Sequence, residues 1–173
     1  MKKILKNPSA LTGLIIISAL LLVAIFADYL TPHDPYDIDI WVSYTAPEGI
    51  KGTYILGTDD MGRDLLSRII MGSRVSLLVA TVATGLSLVL GVLFGSIAGY
   101  CGGLVDTVIM RLMDLILAFP SVLLAIAIVA SLGPGVVNAM FAISIVRIPA
   151  MARVTRSMVL GLKEEEFVMA GQA

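Results

Sequence analysis

The chain has 173 residues, of which 58% are hydrophobic and only 14% are charged, against about 25% charged residues in a typical soluble domain. Its formal net charge of −1 gives no basic field that would favour nucleic acid. The single cysteine, Cys101, excludes an internal disulfide. The sequence shows no Cys/His cluster, Gly-rich phosphate loop or Ser-His-Asp arrangement. We therefore expect an all-α, polytopic membrane protein with no catalytic, metal or cofactor site of its own.

Residues 11–27 form the first predicted span. They carry no charge, and 17 residues is near the lower limit for crossing about 30 Å of hydrocarbon. This apolar stretch is longer than the core of a secretory signal (roughly 7–15 residues), and no small-x-small cleavage site follows it. We interpret it as a retained anchor that follows a cytoplasmic segment, residues 1–10.

Residues 28–76 form a long predicted outer loop. Three prolines in its first half exclude a long helix there: Pro32, Pro35 and Pro47. In its second half four apolar residues recur with helical spacing: Leu65, Leu66, Ile69 and Ile70. This pattern predicts a short amphipathic helix on the membrane surface, beginning near Asp60 and capped by Thr58 or Asp59.

Three further spans are predicted after this loop. The second covers residues 77–100 and the third covers residues 115–132, with a cytoplasmic loop, residues 101–114, between them. Pro120 lies near the start of the third span and is expected to kink it. A Gly-Pro-Gly turn then leads into the fourth span, residues 136–152.

Glycines recur every fourth residue in the second span, at Gly91, Gly95 and Gly99. This spacing places three bare backbone patches on one helical face, where another helix can approach closely. The alternative is the general glycine richness of membrane helices. We favour helix packing.

Basic residues give the orientation. With the N-terminus inside, the inner segments hold Lys2, Lys3, Lys6, Arg111, Arg147, Arg153, Arg156 and Lys163, and the outer segments hold Lys51, Arg63, Arg68 and Arg74. This excess favours a cytoplasmic N-terminus. Asp106, Arg111 and Asp114 then lie on the inner side, either as a proton or ion relay or as a helix end held by local ion pairs. Their inner position favours the ion pairs.

Three ordered motifs resemble one family of transporters. The outer loop carries Leu56, Gly57, Thr58, Asp59, Gly62, Arg63, Asp64, Ser67, Arg68, Gly72, Arg74 and Ser76 in the pattern LGTDxxGRDxxSRxxxGxRxSL. This signature is similar to that of one permease subunit type in the oligopeptide, dipeptide and nickel ABC importers. A second match includes Asp106, Arg111, Asp114 and Pro120, and a third lies in the last 21 residues, 153–173.

The resemblance implies a six-span type I ABC importer permease, of which this chain would be a C-terminally incomplete fragment with four transmembrane helices. Such a permease passes small peptides, nickel or another small solute into the cytoplasm through the bacterial inner membrane. The implied partners are a paralogous permease, ATPase subunits that carry ATP and Mg, an extracytoplasmic solute-binding protein and membrane lipid, with no nucleic acid. The alternatives are a scaffold or assembly subunit that transports nothing and a proton-coupled carrier that uses Asp106 and Asp114.

Residues 153–173 resemble the first half of the family's cytoplasmic coupling loop. The implied ATPase-coupling residues are Arg153, Arg156, Glu166, Phe167, Val168, Ala170 and Gly171. The family's coupling motif, EAAxxxG, is only partly retained, because Met169 and Gly171 flank the single aligned alanine, Ala170. A glycine at this position weakens a helix by about 1 kcal/mol relative to alanine.

Overall fold

The computed structural model describes residues 7–165, and its regular elements are all helical. The expected all-α class is therefore confirmed. The helices are α1 (Pro8–Ile25), α2 (Ala27–Leu30), a 3₁₀ turn (Ile40–Val42), α3 (Leu65–Cys101), α4 (Gly103–Leu117), α5 (Ser121–Leu132) and α6 (Val136–Lys163). Contacts divide the described residues into two units, residues 7–78 and residues 79–165.

Helix α1 begins three residues before the predicted span and ends two residues earlier. The Asn7 side chain accepts a hydrogen bond from the Ser9 backbone N–H at 3.1 Å, which caps the helix. Pro8 occupies the first turn, where a missing N–H leaves no helical bond unmade. The uncharged 18-residue helix is long and apolar enough to cross a membrane.

Helix α3 is one continuous helix of 37 residues, where the sequence predicted a short surface helix followed by a separate span. It begins at Leu65 rather than near Asp60, because Asp64 and not Thr58 or Asp59 caps it: the Asp64 carboxylate accepts the Ser67 N–H at 2.9 Å. No proline interrupts residues 65–101. At 1.5 Å per residue the helix is about 55 Å long, which exceeds the roughly 30 Å of hydrocarbon.

The predicted third span, residues 115–132, includes α5 and only the last three residues of α4. The rest of α4 lies in residues 101–114, which were predicted as a cytoplasmic loop. Helix α4 ends at Leu117 and α5 begins at Ser121, and the two are bent by 90° at the break between them. Pro120 stands immediately before α5, so the expected kink is a full interruption. Three helices are long and apolar enough to cross a membrane, and the count is up to four if the bent pair is one span.

Helix α6 continues for 28 residues to Lys163, past the predicted end of the fourth span at residue 152. Pro149 lies inside it and is fully buried. A proline donates no backbone N–H, so the helix passes this point without the bond that would reach the Ile145 carbonyl.

The glycine face of α3 lies against α6. A Cβ atom added at Gly91 would lie 3.1 Å from the Ala152 nitrogen, and one added at Gly99 would lie 2.8 Å from the Val159 Cβ. Beside this contact Met113 of α4 packs with Ile148 and Ala152 of α6. The partly buried side chains around them are Leu90, Phe94, Ile109 and Met110. The second unit is therefore built around α6.

Replacement of Gly95 by alanine is expected to destabilise the protein, because the new methyl group would lie 2.7 Å from the Thr155 Cβ. Overpacking of this kind costs about 1–3 kcal/mol. Gly85→Ala is the matched control, since a Cβ there meets nothing within 4 Å. Thermal unfolding of the full-length protein in detergent should show a lower midpoint for Gly95→Ala only. An unchanged midpoint for Gly95→Ala would show that the helices are not in close contact at this turn.

Candidate functional site

The outer-loop signature is built on two glycine turns. Gly57 and Gly62 adopt φ angles of +79° and +75°, a region that residues with a side chain rarely enter. A Cβ atom at Gly62 would also collide with the Asp39 carbonyl oxygen. Both glycines are buried. The backbone of the loop therefore requires glycine at these two signature positions.

Thr58 joins the signature to the first half of the loop. Its hydroxyl donates to the Val42 carbonyl and accepts the Thr45 N–H at 2.9 Å. Its own N–H donates to the Thr45 carbonyl at 3.1 Å. The residue is only 5% exposed, so these bonds satisfy a buried hydroxyl.

Asp59 is the charged centre of the loop. Its carboxylate accepts the backbone N–H groups of Met61 and Arg63 at 2.9 and 3.0 Å, and the Arg63 Nε at 2.8 Å. The Arg68 Nε lies 3.5 Å away. Burial raises the pKa of Asp59, but the hydrogen bonds from Arg63 and Met61 outweigh it and hold the pKa below its usual value of 3.8.

Asp64 and Ser67 join the start of α3 to the first half of the loop. The Ser67 hydroxyl donates to the Asp64 carboxylate at 2.6 Å and accepts the His33 N–H at 3.1 Å. The His33 Nδ1 lies 3.8 Å from the same carboxylate. Asp64 is 3% exposed and Ser67 is fully buried, so this polar cluster lies within the loop.

The remaining signature residues lie outside this network. Leu56 is 40% exposed, Gly72 has open space beside it, and Ser76 is exposed. Arg74 donates to the exposed Asp28 carboxylate at 2.9 Å. The structure thus brings most signature residues together and leaves these four at its edge.

Sequence reasoning missed three partners of the signature, namely His33, Thr45 and Asp28. The prolines in the first half of the loop excluded a long helix there but indicated none of these contacts. Within residues 7–165 no group of three His, Cys, Asp or Glu side chains is placed to hold a metal ion. The polar side chains of the signature bond to one another and to other groups of the same loop, so the signature shapes the loop.

Acidification is expected to loosen the turn at Asp59. Because the pKa of folded Asp59 is lowered, its ionised form stabilises the loop at pH values above its usual 3.8, and this contribution is lost as the pH falls through the lowered pKa. Hydrogen exchange, corrected for its intrinsic pH dependence, should show falling protection of the Met61 and Arg63 amides. Asp59→Asn should remove most of this pH dependence. If acidification lowers the protection of these amides equally in Asp59→Asn and in the unsubstituted protein, another group causes the effect.

A second candidate site lies in the second unit, where α4 and α6 meet. Arg156 donates from Nε and Nη2 to the two carboxylate oxygens of Asp106, each at 2.5 Å. One helical turn further along α6 toward its start, Arg153 donates to Asp114 at 2.6 Å. These residues line a polar cleft of about 580 Å³, together with Thr107, Met110 and Arg111. We call this set the α4–α6 cleft.

The contacts in the α4–α6 cleft can be compared with two expectations from the sequence. Local pairing of Arg111 with Asp114 was expected, but Asp114 pairs with Arg153, 39 residues away. Arg153 and Arg156 were expected in the ATPase-coupling set, and their guanidinium groups contact α4 of the same chain. Their role toward an ATPase stays a prediction. The other members of the set, Glu166, Phe167, Val168, Ala170 and Gly171, lie outside the described residues.

The end of α6 is also tied to the end of α3. The Lys163 ammonium donates to the Tyr100 carbonyl at 2.9 Å and lies 5.8 Å from the centre of the Tyr100 ring. Tyr100 is in the last turn of α3. A cation at a helix C-terminus is favourable, because it satisfies a free carbonyl and opposes the negative end of the helix dipole. One end of the second unit therefore gathers the polar termini of three helices.

Comparison with known families gives two matches. Residues 91–173 match the model described as "binding-protein-dependent transport system inner membrane component". Residues 1–47 match the N-terminal transmembrane domain of oligopeptide transport permease C. The chain belongs to this permease family. It is thus related to the membrane component of such systems, a component that is not itself catalytic.

Individual relatives agree along nearly the whole chain. The chain is 46% identical to the dipeptide transport system permease protein DppC of Alkalihalophilus pseudofirmus over 99% of its length. It is 37% identical to the oligopeptide permease OppC of Bacillus subtilis over 96%, and 38% identical to the nickel permease NikC of Escherichia coli over 92%. It spans 56%, 53% and 57% of those relatives, respectively.

Proposed function

We propose that this chain is part of the permease subunit of an ATP-driven importer that passes small peptides through the bacterial inner membrane. The family match over residues 91–173 carries the proposal, because those residues include the α4–α6 cleft and the segment that follows α6. ATP and Mg would bind to separate ATPase subunits. A paralogous permease, an extracytoplasmic solute-binding protein and membrane lipid would complete the assembly.

The end of α6 supports a coupling role for residues 153–173. Arg153, Arg156 and Lys163 are each bonded to a neighbouring helix. A segment that begins from a helix held in this way can pass on a displacement, whereas a loosely attached one would absorb it. Among the residues beyond the described part, Glu166, Phe167, Val168, Ala170 and Gly171 are proposed to contact the ATPase.

A small peptide is the proposed solute. Relatives named as dipeptide or di/tripeptide permeases are 46%, 43% and 41% identical to this chain. Nickel is the second candidate, because the nickel permease relative is 38% identical. Proton-coupled transport through Asp106 and Asp114 is the less favoured alternative, since both carboxylates bind arginines of α6 and so connect two helices.

Uptake by the assembled complex tests this function. Vesicles containing the full-length permease, its paralogue, the ATPase subunits and the binding protein should accumulate a labelled dipeptide only when ATP is supplied on the ATPase side. Labelled nickel ion, assayed in parallel, decides between the two solutes. Uptake driven by a proton gradient without ATP would contradict the proposal, and so would a complex that assembles but transports neither solute.

The proposed topology places the N-terminus and the end of α6 in the cytoplasm and residues 28–76 outside. Single cysteines at Ile50, which is 92% exposed, and at Glu164, which is exposed, should then label from opposite sides. Both variants need Cys101→Ala, because the native cysteine is exposed. An impermeant thiol reagent added to intact cells should modify Ile50→Cys only. Modification of Glu164→Cys from outside would show that the orientation is the reverse of the proposed one.

A further inference from the structure

Two ion pairs join α4 to α6, and they are not equivalent. Arg156 binds Asp106 through two parallel hydrogen bonds, the planar geometry that gives an arginine–carboxylate pair its directional strength. Arg153 binds Asp114 through one hydrogen bond at 2.6 Å. A bidentate pair fixes the relative rotation of the two side chains, and a single bond leaves it freer.

The two pairs also differ in exposure. The Asp106 and Arg156 side chains are 17% and 34% exposed, whereas those of Asp114 and Arg153 are 49% and 52% exposed. Water screens an exposed pair, so its contribution is small. The partly buried pair is screened less. Asp106–Arg156 is therefore the stronger connection, and Asp114–Arg153 offers a natural control of the same chemistry on the same two helices.

Helix α3 also approaches the backbone of Arg156. A Cβ atom added at Gly99 would lie 3.1 Å from the Arg156 carbonyl oxygen, so α3 approaches α6 at the same turn that carries the ion pair. Two turns further on, Lys163 donates to Tyr100 of α3. The last turns of α6 are thus fixed by a glycine contact with α3 and a bidentate ion pair with α4.

Helix α4 leads from this connection to the break before α5. Asp106 lies in the first turn of α4, and α4 meets α5 at a 90° bend. Helix α5 also packs against α6. A displacement of the last turns of α6 would act through Asp106 on α4. The bend between α4 and α5 would then change its angle, because the helical hydrogen bonding of α4 ends before α5 begins.

We propose that Asp106 and Arg156 are positioning residues that lock the end of α6 to α4, so that movement of the segment after α6 reaches the α4–α5 bend. This inference rests on the proposed ATP-driven function, in which that segment meets the ATPase. It assigns Arg156 a role inside the permease. The residues that touch the ATPase would then lie further along the chain.

Charge exchange in the full-length permease, assembled with its partner subunits, tests the inference. Asp106→Arg and Arg156→Asp should each lower solute-stimulated ATP hydrolysis by about tenfold, a change within the range of measured pair couplings, while unstimulated hydrolysis persists. The exchanged double variant, Asp106→Arg with Arg156→Asp, should recover most of the stimulation. The same three changes made at the second pair are Asp114→Arg, Arg153→Asp and the exchanged double variant. Each should change solute-stimulated ATP hydrolysis by less than about threefold, as expected for an exposed pair.

The ratio of stimulated to unstimulated hydrolysis is compared only among complexes that assemble, so that coupling is measured apart from folding. If the reversed single variants do not assemble, Asp106→Asn and Arg156→Lys replace them. The first keeps the shape of the carboxylate and removes its charge, and the second keeps the positive charge and removes the bidentate fork. Full stimulation in these variants, or no recovery in the exchanged double variant, would overturn the inference. A wild-type complex that assembles without solute-stimulated hydrolysis would instead overturn the proposed function.

Discussion

The close contact between α3 and α6 is the constraint on which the second unit depends. Glycine recurs at each turn of the α3 face, and a methyl group added at any of the three positions would meet atoms of α6. In a membrane, where lipid is as apolar as leucine, close packing of backbones takes the place of the hydrophobic effect between helices. This approach sets the position of α6, and the position of α6 in turn allows Arg153 and Arg156 to reach the carboxylates of α4.

The outer loop obeys a different constraint, which is the need to satisfy buried polar groups. Thr58, Asp64 and Ser67 are nearly or fully buried, and each forms hydrogen bonds that link distant parts of the loop. Leaving a buried hydroxyl or carboxylate without a partner would destabilise the fold by more free energy than one such hydrogen bond contributes to it. Two buried atoms, the His33 Nδ1 and the Asp64 Oδ1, have no partner among the described residues. A polar signature of this kind specifies a shape, and a shaped loop can present a surface without any of its signature residues acting chemically.

Local patterns in the sequence were good guides to apolar helices and to the glycine face, because both leave a periodic signal. They were poor guides to helix ends. The continuity of α3 depends on Asp64 as the cap, and several Thr and Asp residues nearby offered the same chemistry. The pairs Asp106–Arg156 and Asp114–Arg153 join residues 50 and 39 positions apart. Such pairs have no local signature, so the sequence favoured local ion pairs among Asp106, Arg111 and Asp114.

The location of charge in the second unit bears on how the protein is driven. A carboxylate that carries protons must exchange them, and so it needs an environment in which its neutral form is accessible. Asp106 is bound by two hydrogen bonds from one guanidinium group, and Asp114 is bound by another. Both carboxylates are therefore engaged in holding helices together. With the acids used in this way, a displacement of α6 reaches α4 directly. Such a direct connection is what the proposed coupling role requires of α6.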